Sequence, residues 1–145
     1  MIRLLIVDDE PLVQIGVKSM LDWAELGIEI CGTASNGEEA LKLIEKHMPH
    51  IVITDMKMPI MDGLELMKEC QKKYGRLPLF IVLTSYEEFH LAKEALSLHA
   101  VEYLMKFELT EESLKASINT AIGILDEVMR SSQYREQSLP VEAML

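Results

Sequence analysis

Acidic side chains follow two short apolar runs of the sequence, at the points where strands would end. Asp8 and Asp9 come directly after the run Leu4–Val7, and Asp55 follows the run Ile51–Ile53 after one threonine. Crowded carboxylates repel one another, by about 4 kcal/mol for a pair at ~4 Å in an effective dielectric of about 20. They therefore need a positive charge beside them. A few hard oxygen ligands suit Mg²⁺ or Mn²⁺, and neither loop carries the His or Cys of a zinc or iron site.

A hydroxyl and an amine follow two further apolar runs. Thr84 comes directly after Leu79–Leu83, and Lys106 follows the run 101–104. Phosphoryl transfer could use Asp55 as the nucleophile, with Lys106 and a cation neutralising the phosphoryl oxygens and Thr84 donating a hydrogen bond. Taken singly, each residue has an ordinary explanation as a helix cap, a turn residue or a surface charge. Their coincidence at strand ends favours the joint chemical interpretation.

Five strands alternating with five helices would bring these groups together. The strands are predicted from short apolar or alternating runs at Leu4–Val7, 28–31, Ile51–Ile53, Leu79–Leu83 and 101–104. Strict alternation predicts a doubly wound α/β fold with a parallel sheet. The second and fifth runs are the weakest and suit the edges, which favours the strand order 2-1-3-4-5. Asp8, Asp9 and Asp55 would then share one shallow pocket.

The helices are predicted from apolar residues spaced three and four positions apart. They begin near Pro11, Asn36, Leu64, Phe89 and Thr110, with Asn36 as a cap and Gly75 closing the third helix. The last helix has the clearest stripe, formed by Leu114, Ile118, Ala121, Ile122, Leu125 and Met129. The apolar pattern ends near Ser131, so we predict one domain over residues 1–130 and a linker or disordered tail over 131–145.

Composition narrows the function classes. The chain has 145 residues, 49% of them hydrophobic, and a net charge of −10, which suits one acidic domain that does not bind nucleic acid. The apolar start is too short for a signal peptide, and no run reaches the ~20 residues of a membrane span. We therefore predict a cytoplasmic protein. Cys31 and Cys70 are expected to be free thiols.

The sequence resembles the receiver domains of two-component response regulators from about Ile2 to Met129. The motifs that carry the resemblance are the segments 5–11, 36–40, 55–63, 83–86 and 103–106. Trp23 with residues 26–28, and residues 86–89, are more similar to the subgroup fused to an AraC-type helix-turn-helix output domain. The resemblance implies a flavodoxin-like fold and a signalling domain rather than an enzyme. Such a domain accepts a phosphoryl group from a sensor histidine kinase and assists its own phosphorylation and dephosphorylation.

The resemblance also assigns roles at the site. Asp55 would be the phosphoacceptor, and Asp9 and Asp55 would bind Mg²⁺ or Mn²⁺ directly, with Asp8 acting largely through a water molecule. The backbone carbonyl of Lys57 would supply another oxygen, and Lys106 would contact the phosphoryl group.

The switch is also implied by the resemblance. Thr84 and Tyr103 would be the switch pair, the hydroxyl moving towards the phosphoryl group and the ring following it. The face formed by helix 4, strand 5 and helix 5 would then mediate homodimerisation and output, in a protein that regulates transcription.

One residue departs from the family pattern. Receivers usually have a proline joined by a cis peptide directly after the lysine, and this chain has Phe107. Because a cis bond before a residue other than proline costs about 2.5–4 kcal/mol, we predict a trans peptide between Lys106 and Phe107. The loop is then expected to relax and to hold Lys106 less firmly over the acceptor.

The sequence argues against two alternatives and leaves a third open. A phosphatase of the haloacid-dehalogenase type would need an Asp-x-Asp pattern after the first strand, which Asp8-Asp9-Glu10 lacks. A flavodoxin-like module that binds a flavin or nucleotide would need a glycine-rich or hydroxyl-rich phosphate loop, and the loop here is acidic. A pseudo-receiver that folds in the same way but is never phosphorylated is compatible with the sequence.

Overall fold

The computed structural model describes the backbone of residues 1–144 and the side chains of residues 1–131. Five strands alternate with five α-helices. The strands are β1 (Ile2–Val7), β2 (Ile28–Ala34), β3 (Ile51–Asp55), β4 (Leu79–Thr84) and β5 (Glu102–Met105). The helices are α1 (Pro11–Met20), α2 (Gly37–His47), α3 (Gly63–Tyr74), α4 (Phe89–Ser97) and α5 (Glu111–Met144). Short 3₁₀ turns, η1 (Tyr86–Glu88) and η2 (Lys106–Glu108), follow β4 and β5.

All five strands are parallel and lie in the order β2-β1-β3-β4-β5. The predicted fold class and strand order are confirmed. β1 lies beside β3 with Val7 opposite Thr54, and β3 lies beside β4 with Asp55 opposite Leu83. The residues that follow β1, β3 and β4 therefore emerge at one edge of the sheet.

Apolar cores cover both faces of the central strands. Successive strand side chains point to opposite faces, so Leu5 and Val7 pack with the α2–α4 side, and Leu4 and Ile6 pack with α1 and α5. The same alternation holds in β3 and β4. Because both faces are covered, these strands are apolar at nearly every position, which produced the continuous runs in the sequence.

Helix ends are fixed by local hydrogen bonds. The Asn36 side chain accepts from the Glu39 amide at 2.8 Å, as predicted. Asp62 and Glu65 form a reciprocal capping box at the start of α3. Gly75 ends α3 with a φ of 77°, a conformation that few other residues adopt readily.

Helix α5 follows most of its predicted stripe. Leu114, Ile118 and Ala121 are fully buried, whereas Met129 at the far end of the stripe is 41% exposed. The helix continues to Met144, past the point near Ser131 where the apolar pattern ends. The predicted linker or tail over 131–145 falls almost wholly outside the residues whose side chains are described, and it stays a prediction. Among the described residues, no helix combines the length and apolar character needed to cross a membrane.

Candidate functional site

The loop after β1 gathers three acidic side chains. Asp8 is fully buried, and its Oδ1 accepts a hydrogen bond from the Glu10 amide at 2.8 Å. Asp9 and Glu10 are exposed, and one carboxylate oxygen from each of Asp8, Asp9 and Glu10 lies within 4.8 Å of the others. Pro11 opens α1 immediately afterwards and holds the chain in a helical direction. The loop thus presents carboxylates to the carboxyl edge of the sheet.

Asp55 is the last residue of β3 and is only 2% exposed. Its Oδ1 accepts a hydrogen bond from the Met56 amide at 2.8 Å, and its Oδ2 accepts one from Lys106 Nζ at 3.0 Å. The chain behind it is tightly packed, because a Cβ on Gly63 would lie 2.4 Å from the Asp55 carbonyl oxygen. Asp55 is therefore held from its backbone and from both carboxylate oxygens.

Lys106 joins the carboxylates of two strand ends. Its Nζ lies 2.9 Å from Asp8 Oδ2, 3.0 Å from Asp55 Oδ2 and 3.1 Å from Glu10 Oε1, and its side chain is 7% exposed. The prediction that the loop with Phe107 holds Lys106 less firmly stays a prediction, although Lys106 has three carboxylate contacts. These three carboxylates surround the ammonium group on the side of the β1 and β3 strand ends.

The Lys106–Phe107 peptide is trans, as predicted, since the only cis peptide in the described part of the chain joins Leu77 and Pro78. Phe107 lies in η2 and is 78% exposed. It lines the mouth of the site rather than covering other apolar surface. Phe107 thus forms part of the rim of the site, while Lys106 directly before it contacts Asp8, Glu10 and Asp55.

Burial and charge shift the protonation of the site. Burial and the neighbouring charge of Asp8 raise the pKa of Asp55 to about 7, although Lys106 opposes the shift. Burial also raises the pKa of Asp8. Burial lowers the pKa of Lys106, but its bonds to Asp8 and Asp55 outweigh this effect and leave that pKa above its usual value. One ammonium group balances only part of the negative charge of several carboxylates. The site therefore favours binding of an additional cation.

An open cavity of about 710 Å³ lies over these groups. Its lining includes the acids Asp9, Glu10, Asp55, Glu87 and Glu88, and the residues Lys57, Met58, Pro59, Ser85, Tyr86, Lys106 and Phe107. The hydroxyl of Tyr86 donates a hydrogen bond to the Glu108 carboxylate, which connects η1 to η2 beside the opening. The side-chain atoms of the acidic loop that could bind a metal ion are all oxygens, which suit a hard divalent cation.

The other residues predicted for the site are Lys57, Thr84 and Tyr103, and their contacts are different from those of Lys106. Lys57 lines the cavity, and its side chain is exposed. Thr84 is fully buried, and its hydroxyl donates to the Ser85 carbonyl at 3.1 Å. Tyr103 is half-buried and stacks edge-on against Phe89, with ring centroids 5.3 Å apart. The structure therefore joins Asp8, Asp55 and Lys106 directly, whereas Thr84 and Tyr103 make other contacts.

Sequence reasoning missed Glu10. It was noted only as part of the Asp8-Asp9-Glu10 motif, yet its carboxylate contacts Lys106 across 96 positions of sequence. The available signal was a third consecutive acid directly before Pro11. Nothing in that spacing showed which strand end its side chain would face.

Comparison with known proteins points to one family. The model of the response regulator receiver domain matches residues 4–119. The chain is 40% identical over 125 residues to the transcriptional regulatory protein YesN from Bacillus subtilis, an alignment covering 86% of this chain and 33% of that protein. The chain thus spans about a third of the length of this relative.

Solved structures agree with this comparison. The receiver domain of AraT, a response regulator from Geobacillus stearothermophilus, superposes with a TM-score of 0.78 and 36% identity, covering 86% of this chain and 96% of that one. A two-component transcriptional regulator AraC from Clostridium phytofermentans superposes with a TM-score of 0.72 and 31% identity, covering 85% and 97% of the two chains.

Proposed function

Because the chain belongs to the response regulator receiver domain family, we propose that Asp55 accepts a phosphoryl group from a sensor histidine kinase. Transfer would occur in the cytoplasm and would control an output domain that regulates transcription. The observation that supports this proposal best is the meeting of Asp8, Asp55 and Lys106 through one ammonium group. Receiver domains are signalling domains, and we propose that this one assists its own phosphorylation and dephosphorylation without turning over a separate substrate.

In the proposed transfer, a carboxylate oxygen of Asp55 attacks phosphorus as the bond from phosphorus to the donor nitrogen breaks. The Met56 amide holds Oδ1, which orients the carboxylate towards the open cavity. Lys106 lies 3.0 Å from the acceptor oxygen Oδ2, close enough to neutralise charge on an arriving phosphoryl oxygen. The reaction therefore depends on positioning and on charge neutralisation by groups already in place.

Receiver domains generally bind Mg²⁺ at an acidic pocket, and we propose that this chain binds Mg²⁺ or Mn²⁺. Asp8, Asp9, Asp55 and the backbone carbonyl of Lys57 would hold the ion. When bound, the ion would supply positive charge to the phosphoryl oxygens. Asp8 and Asp9 each offer a carboxylate oxygen within 4.8 Å of the other, which supports this assignment.

For the output, we propose that Thr84 and Tyr103 form the switch pair. The Thr84 hydroxyl now donates to the Ser85 carbonyl, and a phosphoryl oxygen on Asp55 would offer a charged acceptor in its place. Tyr103 would then leave its edge-on contact with Phe89. The face formed by α4, β5 and α5 would rearrange and mediate homodimerisation.

The proposal is tested by incubating the protein with Mg²⁺ and acetyl phosphate and measuring its intact mass. We expect one added phosphoryl group, which is lost in Asp55→Asn and in the presence of a chelator. Asp126→Asn is the matched control, because this exposed acid on α5 lies outside the cavity lining. An unmodified wild-type mass would contradict the proposal and favour the pseudo-receiver. Steady hydrolysis of a generic phosphate ester would instead favour the phosphatase.

The switch is tested separately by loading the acceptor with beryllofluoride and recording NMR shifts. We expect changes at Thr84, Tyr103 and along α4 and α5, together with a larger dimer fraction in sedimentation. If this face keeps its shifts while Asp55 is loaded, the proposed switch is wrong even though the acceptor is right.

A further inference from the structure

Glu10 occupies the N-cap position of α1, yet its side chain does not cap the helix. Its backbone is extended, and no side-chain cap bond is found at this end of α1, which lies within the described residues. Its amide donates to Asp8 Oδ1, and its carboxylate reaches Lys106 Nζ at 3.1 Å. The side chain is 54% exposed at the mouth of the cavity. Its described contact is thus with the site lysine rather than with its own helix.

An ammonium group has three N–H donors, and Lys106 has a carboxylate within 3.1 Å for each of them. Two of these carboxylates, Asp8 and Asp55, are needed by a divalent cation under the proposed function. A cation at these two acids would weaken their hold on Lys106. Only the third partner, Glu10, stands outside the proposed ligand set.

We propose that Glu10 is a positioning residue that keeps Lys106 at the mouth of the site when a divalent cation takes Asp8 and Asp55. The inference rests on the proposed function for its cation. Glu10 then favours cation binding indirectly, through Lys106. The ammonium group keeps its contact with Glu10 when the ion takes Asp8 and Asp55. In this proposal Glu10 acts through Lys106 and stands outside the ligand set, although its carboxylate lies within 4.8 Å of those of Asp8 and Asp9.

Glu88 is a matched comparison for this role. It lines the same cavity, and its charge is felt by Asp55. In the described part of the chain, the salt bridges of Lys106 are to Asp8, Glu10 and Asp55, and Glu88 is absent from this set. A general effect of negative charge should therefore appear at both glutamates, whereas an effect through Lys106 should appear only at Glu10.

The test is a double-mutant cycle on Mg²⁺ affinity, measured by calorimetry on the unphosphorylated protein. We expect Glu10→Gln to weaken Mg²⁺ binding roughly two- to fivefold, the range for a partly exposed ion pair. In a Lys106→Met background the same substitution should have much less effect, and Glu88→Gln should have equal small effects in both backgrounds. Equal losses from Glu10→Gln in both backgrounds, or no loss in either, would overturn the proposal.

A measurement without metal keeps this inference separate from the proposed function. The NMR signal of the Lys106 ammonium should shift in Glu10→Gln and stay unchanged in Glu88→Gln, with thermal unfolding showing that each variant is folded. An unshifted signal in Glu10→Gln would refute the role of Glu10 whether or not Mg²⁺ binds. Conversely, coupling between Glu10 and Lys106 in a protein that acetyl phosphate never modifies would contradict the proposed function alone.

Discussion

At the level of single residues, the site combines buried carboxylic acids with one lysine ammonium group that contacts all of them. Asp8 and Asp55 are almost wholly removed from solvent, and burial disfavours their charged forms. The same burial strengthens their attraction to Lys106, which is itself 7% exposed. Breaking such a group by removing one partner leaves an uncompensated charge. The residues of the site therefore depend on each other more than exposed ion pairs do.

The raised pKa of Asp55 predicts a pH dependence of stability in the metal-free protein. Between its usual pKa of 3.8 and its folded value of about 7, the folded state holds a proton that the unfolded state has released. The free energy of unfolding should therefore fall as pH rises through this window. The raised pKa of Asp8 acts in the same direction, whereas Lys106 loses its contribution only at pH above its usual range.

Urea denaturation in a chelating buffer, at several values between about pH 4 and about pH 8, measures this slope. Asp55→Asn should flatten it. Added Mg²⁺ should raise stability more at the upper end, because the cation binds ionised carboxylates. A free energy of unfolding that rises across the window in the chelating buffer would show that Asp55 is not protonated there in the folded state.

The phenol pKa of Tyr86 is a second property of a single residue that a substitution should change. Its hydrogen bond to the Glu108 carboxylate raises the pKa of the phenol. Glu108→Gln should lower that pKa towards its ordinary value, because the neutral amide no longer stabilises the protonated phenol. Ultraviolet titration would show the change, with Tyr86→Phe identifying the signal among four tyrosines. Identical titration curves for wild type and Glu108→Gln would show that η1 and η2 are not linked in solution.

At the level of secondary-structure elements, the loops that follow the strands contain the site residues. Hydrogen bonds to neighbouring helices fix the course of the loop between β3 and α3. The Gly63 amide donates to the Met56 carbonyl at 2.8 Å, and the Gly37 amide donates to the Met61 carbonyl at 2.9 Å. The loop between β3 and α3 is thus bonded to the start of α3 and to the start of α2. Close packing at both glycines makes the position of Asp55 sensitive to small changes in these elements.

Two glycines in helices should respond oppositely to alanine. A Cβ at Gly63 would meet the Asp55 carbonyl oxygen at 2.4 Å and Met56 Cε at 2.6 Å, so Gly63→Ala should destabilise the protein by about 1–3 kcal/mol and weaken Mg²⁺ binding. Gly123 in α5 has nothing within 4 Å of its Cβ position, so Gly123→Ala should stabilise by about 0.5–1 kcal/mol. Thermal and urea unfolding compare the pair. Similar effects of both substitutions would mean that the β3–α3 loop is not tightly packed.

At the scale of the whole molecule, one sheet serves both cores and the site. The buried side chains of β1, β3 and β4 divide between two apolar clusters, one on each face. Asp55, the proposed acceptor, lies at the end of the central strand of this sheet. The position of Asp55 therefore depends on packing on both faces of the sheet.

A chain that ends at residue 131 should fold as the full chain does. The buried apolar residues of the described part end at Val128. We expect such a chain to keep its cooperative thermal transition and its Mg²⁺ affinity, because both cores and the site remain. The matched comparison is a chain ending at residue 120, which lacks the buried Ala121, Leu125 and Val128 and should be clearly less stable. Loss of cooperative unfolding in the chain that ends at residue 131 would show that the domain extends beyond its predicted boundary at residue 130.

The order of elements was readable from sequence because it depends on local periodicity. Continuous apolar runs mark strands covered on both faces, and spacings of three and four mark helices against them. Asn36 capped its helix and Gly75 closed another, since both follow from backbone chemistry within a few residues. The types of the site residues, with their placement after strands, were visible in the same way. What they predicted was a carboxylate, hydroxyl and amine chemistry at one edge of a sheet.

Tertiary structure alone decided which of these side chains touch. The contact between Glu10 and Lys106 spans 96 positions, and sequence reasoning assigned Glu10 no role. The sequence likewise did not predict the ion pairs of Lys106 or the exposure of Met129. Nor did it predict the hydrogen bond from the Thr84 hydroxyl to the Ser85 carbonyl. Periodicity reports whether a position is buried. Side-chain partners and pKa values depend instead on strand register, rotamers and desolvation in the folded chain, which no local pattern encodes.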